Sequence, residues 1–285
     1  MTLKNLMRQR DMALVGQRAA IVMGILNVTP DSFSDGGKHS GLEAALAHAR
    51  KLIADGAQVL DVGGESTRPG SDPVSADEEI ARVVPVIEAL SKEWDGVISI
   101  DTMKPQVARA AIWAGAGVWN DVTALTHAPD SLATAAELGC ELILMHMKGE
   151  PKTMQQAPHY DNVVSEVCDH LKNQAEAAIR AGVDRSQIWL DPGIGFAKTT
   201  GHNLKLTAQL DKLCALGYPV LYAASRKRMI ADLDPAALSA DDRLGGTIAL
   251  HLEAVKKGAS MVRVHDVREM AQALLIQNRL HRWQA

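Results

Sequence analysis

Eight short apolar runs alternate with longer amphipathic segments, and this repeat constrains the fold more than any other feature of the chain. The apolar runs predict strands at 20–26, 58–62, 97–100, 117–119, 142–145, 188–190, 220–223 and 261–264. The intervening segments predict helices at 41–55, 77–93, 104–115, 129–139, 160–181, 203–216, 242–257 and 266–282. Nearly wholly apolar strands that alternate with helices are typical of a parallel sheet covered on both faces. Eight such units in about 250 residues predict a (β/α)₈ TIM barrel.

The glycines and one proline agree with these boundaries. Pro105 stands where a helix begins, a position at which its missing N–H has no cost. An open doubly wound sheet is the alternative fold, but it calls for a glycine-rich turn after the first strand, and Asn27-Val-Thr-Pro is not one. We expect one domain over 1–285, with the barrel at about 19–282 and residues 1–19 forming a short element that covers its N-terminal end. Glycines follow six of the predicted helices: Gly56, Gly115, Gly139, Gly182, Gly217 and Gly258.

Composition excludes several classes of function. The net charge is −4 and the densest basic run, Arg226-Lys227-Arg228, has three residues, which argues against nucleic acid as a partner. Three widely spaced cysteines predict reduced thiols and neither a disulfide framework nor a zinc site. The charged N-terminus lacks an apolar secretion signal, and no apolar run approaches transmembrane length. We therefore expect a soluble cytoplasmic protein without a membrane partner.

Polar residues follow every predicted strand. In TIM barrels the active site lies at the C-terminal ends of the strands, so these residues are candidates for the site. Any one of them is explained by helix capping or local hydrogen bonding, and we favour that role for Asp121 and His146. A complete ring predicts a site for a ligand that is polar and planar, or phosphorylated. The ring consists of Asn27, Asp61, Asp101, Asn120, Asp121, His146, Asp191, Ser225, Lys227, Arg263 and His265.

The ring divides into two groups by chemistry. Asp101, Asn120, Asp191 and Lys227 offer acceptors, an amide and a cation, which suit the edge of an amino-pyrimidinone heterocycle. Arg263 and His265 are two residues apart on a strand and therefore point the same way. The alternative for Arg263 is a salt bridge to a barrel carboxylate. With the first group set apart, a phosphate or pyrophosphate site is predicted at Asn27, Thr67, Arg68, Arg263 and His265.

Two loops and one turn complete the candidate site. The loops at 28–37 and 63–71 carry hydroxyls, prolines and glycines, a composition typical of segments that close over a substrate. A helix that starts near Ser225 would direct free N–H groups at an anion such as a carboxylate. The segment 191–199 is not a phosphate-binding P-loop, because Pro192 and Ala197 replace two of the required glycines.

These motifs resemble those of the dihydropteroate synthases, in the same order and from about residue 20 onward. The longest are Asn27-Val-Thr-Pro-Asp-Ser-Phe-Ser-Asp-Gly-Gly37 and Asp61-Val-Gly-Gly-Glu-Ser-Thr-Arg-Pro-Gly70. The others are Ser99-Ile-Asp-Thr102, Asn120-Asp121, Met145-His-Met147, Asp191-Pro-Gly-Ile-Gly-Phe196, Ser225-Arg-Lys227 and Arg263-Val-His265. The resemblance implies a TIM-barrel transferase that joins 6-hydroxymethyl-7,8-dihydropterin diphosphate to 4-aminobenzoate, giving 7,8-dihydropteroate and pyrophosphate. It also implies Mg²⁺ as cofactor, a homodimer, and inhibition by sulfonamides.

The resemblance assigns a role to each candidate residue. Asp101, Asn120, Asp191 and Lys227 would bind the pterin. Asn27 would ligate Mg²⁺ on the pyrophosphate, whose oxygens would be held by Thr67, Arg68, Arg263 and His265. The aminobenzoate would lie against Phe33, Thr67, Pro69, Phe196, Ser225 and Lys227. Lys227, Arg263, His265 and Asp101 would serve catalysis, through an S_N1-like substitution in which the leaving group is stabilised. Either Asp31 or Asp35 would approach the metal, and the sequence does not distinguish them.

The chain departs from the common family pattern at a few positions, none of them a proposed ligand. Arg228, Ala197, Ala231, Ala223 and Lys148 replace residues that are often Ser, Gly, Gly, Gly and Gln. These changes affect the rim of the aminobenzoate site and bear on sulfonamide response. Two alternatives to the synthase remain: a methyltetrahydrofolate–corrinoid methyltransferase, which needs no pyrophosphate ligands, and a non-catalytic pterin-binding barrel.

Overall fold

The computed structural model describes residues 1–13, 20–29, 38–66, 72–149 and 153–281. Within these ranges the chain forms eight strands, and all of their pairings are parallel. The strands are β1 (Ile21–Asn27), β2 (Val59–Gly63), β3 (Val97–Asp101), β4 (Val118–Asp121), β5 (Glu141–Met145), β6 (Ile188–Asp191), β7 (Leu221–Tyr222) and β8 (Met261–Val264).

Helices follow the strands in regular alternation. The first of them precedes the barrel, and the segment after β7 carries an additional short helix. The described helices are α1 (Leu3–Ala13), α2 (Lys38–Ala54), α3 (Ala76–Glu93), α4 (Pro105–Trp113), α5 (Ser131–Leu138), α6 (Val163–Ala181), α7 (Thr200–Ala208), α8 (Leu210–Cys214), α9 (Arg228–Leu233), α10 (Leu244–Lys256) and α11 (Val267–His281). None of these helices has the length and apolarity needed to cross a membrane.

The strands form a nearly closed barrel. Each strand from β1 to β6 pairs with the next along the chain, β1 also pairs with β8, and β8 pairs with β7. Between β6 and β7 the described chain has one β-bridge, Leu190 to Val220, and the Leu190 N–H donates to the Pro219 carbonyl at 3.0 Å. The predicted (β/α)₈ TIM barrel is therefore confirmed, and its least complete seam lies between β6 and β7.

Helix α1 closes the N-terminal end of the barrel, as predicted for residues 1–19. Leu3 and Leu6 pack with inward-facing residues near the strand starts, among them Val59 and Met261. The Glu141 carboxylate on β5 accepts hydrogen bonds from the Leu3 N–H at 2.6 Å and the Lys4 N–H at 2.9 Å. This carboxylate satisfies two N–H groups that a helix start leaves without an intrahelical partner. The N-terminal end of the barrel is thus apolar and covered by α1, so polar site residues are expected at the C-terminal end of the strands.

The predicted boundaries are correct to within a few residues at most ends. All six glycines predicted to end helices have positive φ, between 58° and 120°, which explains the choice of glycine at these turns. Two predictions need correction. The helix predicted at 203–216 is divided into α7 and α8 at Gln209, and β7 is two residues long because Val220 forms an isolated bridge.

Candidate functional site

Strand register brings the predicted ring together at the C-terminal end of the barrel. Asn27 lies beside Gly63, Gly63 beside Asp101, and Asp101 beside Asn120 on successive strands. Gly63 has no side chain to separate its neighbours. A Cβ placed there would lie 3.8 Å from both the Asn27 Oδ1 and the Asp101 Oδ2 atoms. The amide of β1 and the carboxylate of β3 therefore face the same space.

A buried ionic cluster joins β2, β3, β4 and β8. The Arg263 Nε donates to Asp61 Oδ2 at 2.6 Å, and its Nη2 donates to Asp101 Oδ2 at 2.7 Å. Asn120 Nδ2 donates to the same Asp61 oxygen at 3.0 Å. The alternative interpretation of Arg263, a salt bridge to a barrel carboxylate, is the arrangement seen here. Asp61 is the centre of the cluster; it belongs to the predicted ring of polar residues, but the sequence alone indicates no specific role for it.

Burial and charge act in opposite directions within this cluster. Burial alone would lower the pKa of Arg263, but Asp61 and Asp101 outweigh it and hold that pKa above its ordinary value. Burial raises the pKa of Asp101 to about 7, although Arg263 opposes this shift. The Oδ1 atoms of Asp61 and Asp101 are buried without a hydrogen-bond partner in the described part of the chain. Unpartnered buried carboxylate oxygens are costly, and at Asp101 such an oxygen is suited to accept from a ligand.

Asp191 faces the cluster from the other side of the barrel. Its Oδ1 accepts the Gly193 N–H at 2.7 Å, which fixes the carboxylate against the turn that follows β6. Gly193 has a φ of +66°, and an added Cβ would lie 2.0 Å from the His146 carbonyl oxygen, so only glycine fits. Burial raises the pKa of Asp191 to about 6, against the effects of Lys227 and Arg263. Lys227 and Arg263 are thus close enough to act on the Asp191 charge.

Lys227 approaches the same turn from the segment after β7. Its Nζ lies 4.3 Å from the centre of the Phe196 ring, a cation–π contact. Gly195, with a φ of +83°, allows this approach, since an added Cβ would lie 3.1 Å from Lys227 Cδ. The structure therefore brings together Asp191, Phe196 and Lys227, as the sequence predicted.

Ser225 and His265 contact each other across β7 and β8. The Ser225 hydroxyl oxygen accepts the His265 backbone N–H at 3.1 Å and lies 2.9 Å from His265 Nδ1. If the hydroxyl donates to Nδ1, the neutral imidazole carries its proton on Nε2. The expected helix after β7 is present as α9, and it begins at Arg228 with Lys227 at its N-cap position.

Lys198 is a buried residue of the site that the sequence analysis did not identify. Its Nζ lies 2.9 Å from His146 Nδ1 and donates to the Phe196 carbonyl at 3.0 Å and the His146 carbonyl at 3.3 Å. Burial lowers the Lys198 pKa to about 7, and burial likewise lowers the His146 pKa to about 2. His146 is thus a satisfied polar residue, as we favoured, but its partner Lys198 lies 52 residues further along the chain and is not local. The lysine side chain ties the end of β5 to the turn after β6.

Asp121 also has the local role that we favoured. Its carboxylate accepts hydrogen bonds from the Thr123 N–H, the Thr123 hydroxyl and the Leu125 N–H, all at 2.8 Å. Positions 124 and 125 are non-glycine residues with positive φ, and these bonds help to hold that turn. Both carboxylate oxygens of Asp121 therefore accept hydrogen bonds from the loop after β4, which they help to shape.

A second ionic cluster lies beside the mouth, at the base of the second loop. Lys104 Nζ contacts Glu65 Oε2 at 2.7 Å and the fully buried Glu79 Oε2 at 2.6 Å. Glu65 Oε1 accepts the Val74 N–H at 3.0 Å, so this cluster joins the segments on both sides of the second loop.

Four predicted contacts of the site lie outside the described residues: Phe33, Thr67, Arg68 and Pro69. Asp31 and Asp35, either of which would approach the metal, also lie outside them.

The described residues suit a magnesium ion that is held mainly by its substrate. They contain no group of three or more His, Cys, Asp or Glu that could hold a metal. Asn27 contributes one hard amide oxygen at the mouth, near Asp101. Mg²⁺ commonly binds proteins through one or two oxygen ligands and takes the remainder from substrate phosphates and water. The donor set therefore fits Mg²⁺ on a diphosphate.

Comparison with known proteins gives one consistent result. Residues 23–265 match the family described as pterin binding enzyme. The chain is 51% identical over 249 residues to the dihydropteroate synthase of Streptococcus pyogenes serotype M3, covering 87% of this chain and 91% of that protein. The Xanthomonas albilineans dihydropteroate synthase with 4-aminobenzoic acid superposes with a TM-score of 0.86 and 48% identity, covering 92% of this chain and 93% of that one. A structure from the same organism in complex with 7,8-dihydropteroate gives a TM-score of 0.83 and 45% identity, with 92% and 94% covered.

Proposed function

Since the chain belongs to the dihydropteroate synthases, a family of pterin-binding enzymes, we propose how its barrel mouth holds and joins the two substrates. The reaction condenses 6-hydroxymethyl-7,8-dihydropterin diphosphate with 4-aminobenzoate, giving 7,8-dihydropteroate and pyrophosphate in folate biosynthesis. The observation that carries the proposal is the convergence of Asp101, Asn120 and Asp191 at one end of the barrel, with Lys227 acting on the Asp191 charge.

The pterin is held at its edge by these four side chains. Asp101 and Asp191 accept from the ring N–H and amino groups. Asn120 donates to or accepts from the remaining polar atoms, and Lys227 donates to them. The unpartnered Asp101 Oδ1 supports this role, since a ligand donor would satisfy it. The fixed position of Asp191 against Gly193 supports it also, because a preset carboxylate loses little entropy on binding.

The diphosphate binds at the β1 and β8 side of the mouth. Arg263 donates to its oxygens through N–H groups not used in the bonds from Nε and Nη2 to Asp61 and Asp101. His265, Thr67 and Arg68 donate as well, and Asn27 is the protein ligand of Mg²⁺. When bound, Mg²⁺ neutralises part of the diphosphate charge. Ser225 supports the role of His265, since its contact with Nδ1 orients the imidazole ring.

The aminobenzoate lies between the pterin and the segment that follows β7. Lys227 and Phe196, which contact each other, form one wall, and Ser225 is near. Phe33, Thr67 and Pro69 are assigned to this pocket from the family resemblance alone. Sulfonamides, as analogues of the aminobenzoate, occupy the same pocket.

The substitution is S_N1-like. The bond from the pterin methylene carbon to the diphosphate oxygen breaks, and its electron pair leaves with pyrophosphate. The aryl amine then forms the new C–N bond and loses a proton to solvent. Arg263 and His265 stabilise the negative charge that develops on the leaving group, and this is the main contribution of the chain to the rate. Asp101 and Asp191 keep the pterin ring oriented while its methylene carries positive charge.

We also propose that the enzyme is a cytoplasmic homodimer. The three free cysteines are consistent with a reducing compartment. Helix α11 leaves Leu275, Ile276 and Leu280 more than half exposed, and an exposed apolar face of this kind is typical of an interface. A second copy of the chain is the proposed occupant, related by a two-fold axis. Sedimentation of the protein and of an Ile276→Asp variant tests this, and a monomeric parent protein would disprove it.

The decisive assay is pyrophosphate release from the pterin diphosphate, with and without 4-aminobenzoate and Mg²⁺. We expect release to require Mg²⁺ and to yield dihydropteroate when the amine is present. Release without the amine, giving only hydrated pterin, would show that bond cleavage precedes amine attack. For Asn27→Ala we expect a higher Mg²⁺ concentration at half-maximal rate. An unchanged Mg²⁺ requirement would remove Asn27 from the metal site.

A further inference from the structure

Arg226 is the middle residue of Ser225-Arg226-Lys227, and the reaction assigns no role to it. Its backbone has a φ of +56°. This left-handed conformation brings Cβ close to the following carbonyl and is unfavourable for a residue other than glycine. A strained residue between two proposed site residues persists only when its surroundings hold it in place.

The backbone of Arg226 is held by two side chains. Its N–H donates to the Thr247 hydroxyl on α10 at 2.9 Å, and its carbonyl accepts from Arg243 Nη1 at 3.0 Å. Thr247 is buried, so its hydroxyl is a fixed acceptor. Both backbone polar groups are therefore satisfied in this conformation of residue 226.

The side chain of Arg226 binds the element that follows β8. Its Nε donates to Asp266 Oδ2 at 3.0 Å and its Nη2 to Asp266 Oδ1 at 2.6 Å, in a parallel two-bond arrangement. A third contact joins Nη1 to Asp241. The carboxylate of Asp266 raises the pKa of Arg226, and Arg226 lowers the pKa of Asp266, so each stabilises the charged form of the other. Arginine is favoured here because its planar group fits a carboxylate with two bonds.

Two successive residues are thus joined to two successive residues of the neighbouring strand end. Ser225 contacts His265, and Arg226 binds Asp266. Two contacts between successive residues of the two segments fix the position of one segment relative to the other. The Arg226–Asp266 pair therefore restrains where Ser225, His265 and Lys227 lie.

We propose that the Arg226–Asp266 ion pair is a positioning element of the aminobenzoate and pyrophosphate sites. It holds residue 226 in the left-handed conformation, and thereby places Ser225 against His265 and Lys227 against Phe196. Arg226 and Asp266 touch no substrate. This inference rests on the proposed roles of Ser225, Lys227 and His265.

The test uses Arg226→Lys and Asp266→Asn in the full-length enzyme. The first keeps the charge but loses the two-bond geometry, and the second keeps the shape but loses the carboxylate charge. We expect KM for aminobenzoate to rise about tenfold and kcat to fall as well, since small displacements in a site have effects of this size. The Kd of the pterin substrate without aminobenzoate should change less than about threefold, because Asp101, Asn120 and Asp191 still hold it. General loss of folded protein would lower the rate and leave both KM and Kd unchanged.

Arg226→Gly separates the two functions of the residue. Glycine adopts a positive φ without strain but lacks the guanidinium group. If the ion pair does the positioning, this variant behaves like Arg226→Lys. If the backbone turn alone is sufficient, it retains the parent KM, and the proposal is wrong. The double variant Arg226→Lys/Asp266→Asn should be no worse than either single variant, because both remove the same contact.

Two further variants make the outcome unambiguous. Arg50 binds Glu93 through the same two-bond geometry, 3.1 and 2.9 Å, on helices α2 and α3, so Arg50→Lys is a matched control expected to keep the parent kinetics. Lys227→Ala tests the premise. If Lys227→Ala is inactive while Arg226→Lys and Asp266→Asn match Arg50→Lys, the positioning role is disproved and the proposed function stands. If Lys227→Ala is fully active, the assignment of Lys227 to the substrate site is wrong, and with it the premise of the positioning role.

Discussion

The Nε atom of Arg263 lies 2.6 Å from Oδ2 of Asp61, and this contact joins the two halves of the active site. The same Asp61 oxygen accepts from Asn120, a proposed pterin ligand, whereas Arg263 is a proposed pyrophosphate ligand. One carboxylate oxygen therefore sets the position of a group from each half. A substitution of Asp61 should therefore affect the binding of both the pterin and the diphosphate groups, although Asp61 itself contacts neither.

We accordingly expect Asp61→Asn to lower kcat/KM about a hundredfold. The amide keeps the shape of the side chain but removes the negative charge opposite Arg263. Its NH₂ group is a donor, whereas Arg263 and Asn120 both require an acceptor at this position. Steady-state kinetics with both substrates measure the effect. As a control, Glu137→Gln removes an exposed partner of Arg109, and such pairs contribute little. An Asp61→Asn enzyme within threefold of the parent would show that Asp61 does not position the site.

The pKa of Asp101 predicts a pH dependence for pterin binding. Burial raises this pKa to about 7, so the carboxyl is substantially protonated below neutral pH. The pterin donors require the ionised carboxylate, and binding should therefore tighten as pH rises from 6 to 8, by up to about tenfold per pH unit below the pKa. Calorimetric Kd values over this range test it. In Asp101→Asn the dependence near pH 7 should vanish, whereas an unchanged profile would assign it to another group.

Lys198 predicts a pH dependence of stability. Its pKa in the folded protein is lowered to about 7, below the ordinary value of 10.5, because burial disfavours the charged amine. The unfolded chain therefore binds more protons between these values, and the free energy of unfolding should rise as pH rises from 7 to 10. The full shift corresponds to an upper limit of about 5 kcal/mol.

Urea unfolding at pH 7 and pH 9.5 measures this difference. We expect Lys198→Met to flatten it, since methionine fills similar space without a titratable group. A parent protein equally stable at both values, or a variant with the parent slope, would contradict the assignment. Exposed Lys212, bonded to Gln209, offers Lys212→Met as the control.

Glu141 predicts a loss of stability without a loss of catalysis. Its carboxylate accepts the Leu3 and Lys4 N–H groups at the start of α1, at the end of the barrel opposite the active site. Glu141→Ala should lower the free energy of unfolding by about 1–2 kcal/mol, the usual effect of a lost helix cap. Thermal unfolding should show a lower midpoint, and kcat measured well below it should equal that of the parent. A fall in kcat at that temperature would mean that the two ends of the barrel are coupled.

Much of the fold and part of the site could be predicted from the sequence, because the signals are local. Apolar strands, helix-ending glycines and a polar residue after each strand follow from backbone geometry and burial. Asp121, interpreted as a local hydrogen-bonding residue, satisfies the N–H groups two and four positions further on. The position of Asn120 beside Asp101 followed from the order of the strands.

What could not be predicted depends on contacts between distant segments. Arg263 pairs with Asp61, a residue 202 positions away, and sequence spacing does not reveal which carboxylate it meets. Lys198 belongs to the segment 191–199, and nothing in that segment predicts its burial against His146, because this burial arises from the packing of β5 beside β6. Ala197, noted where the family often has glycine, has a φ of +50°, so the departure retains a conformation that favours glycine.

The incomplete seam between β6 and β7 makes the local stability of the barrel depend on whether a ligand is bound. One β-bridge joins these strands in the described chain, and the residues just beyond it are Asp191 on one side and Ser225 with Lys227 on the other. A substrate held by both sides supplies cross-links that the backbone there lacks. The bound ligand thereby becomes part of the barrel wall, and amide hydrogen exchange across Leu190 and Val220 should slow when the site is filled.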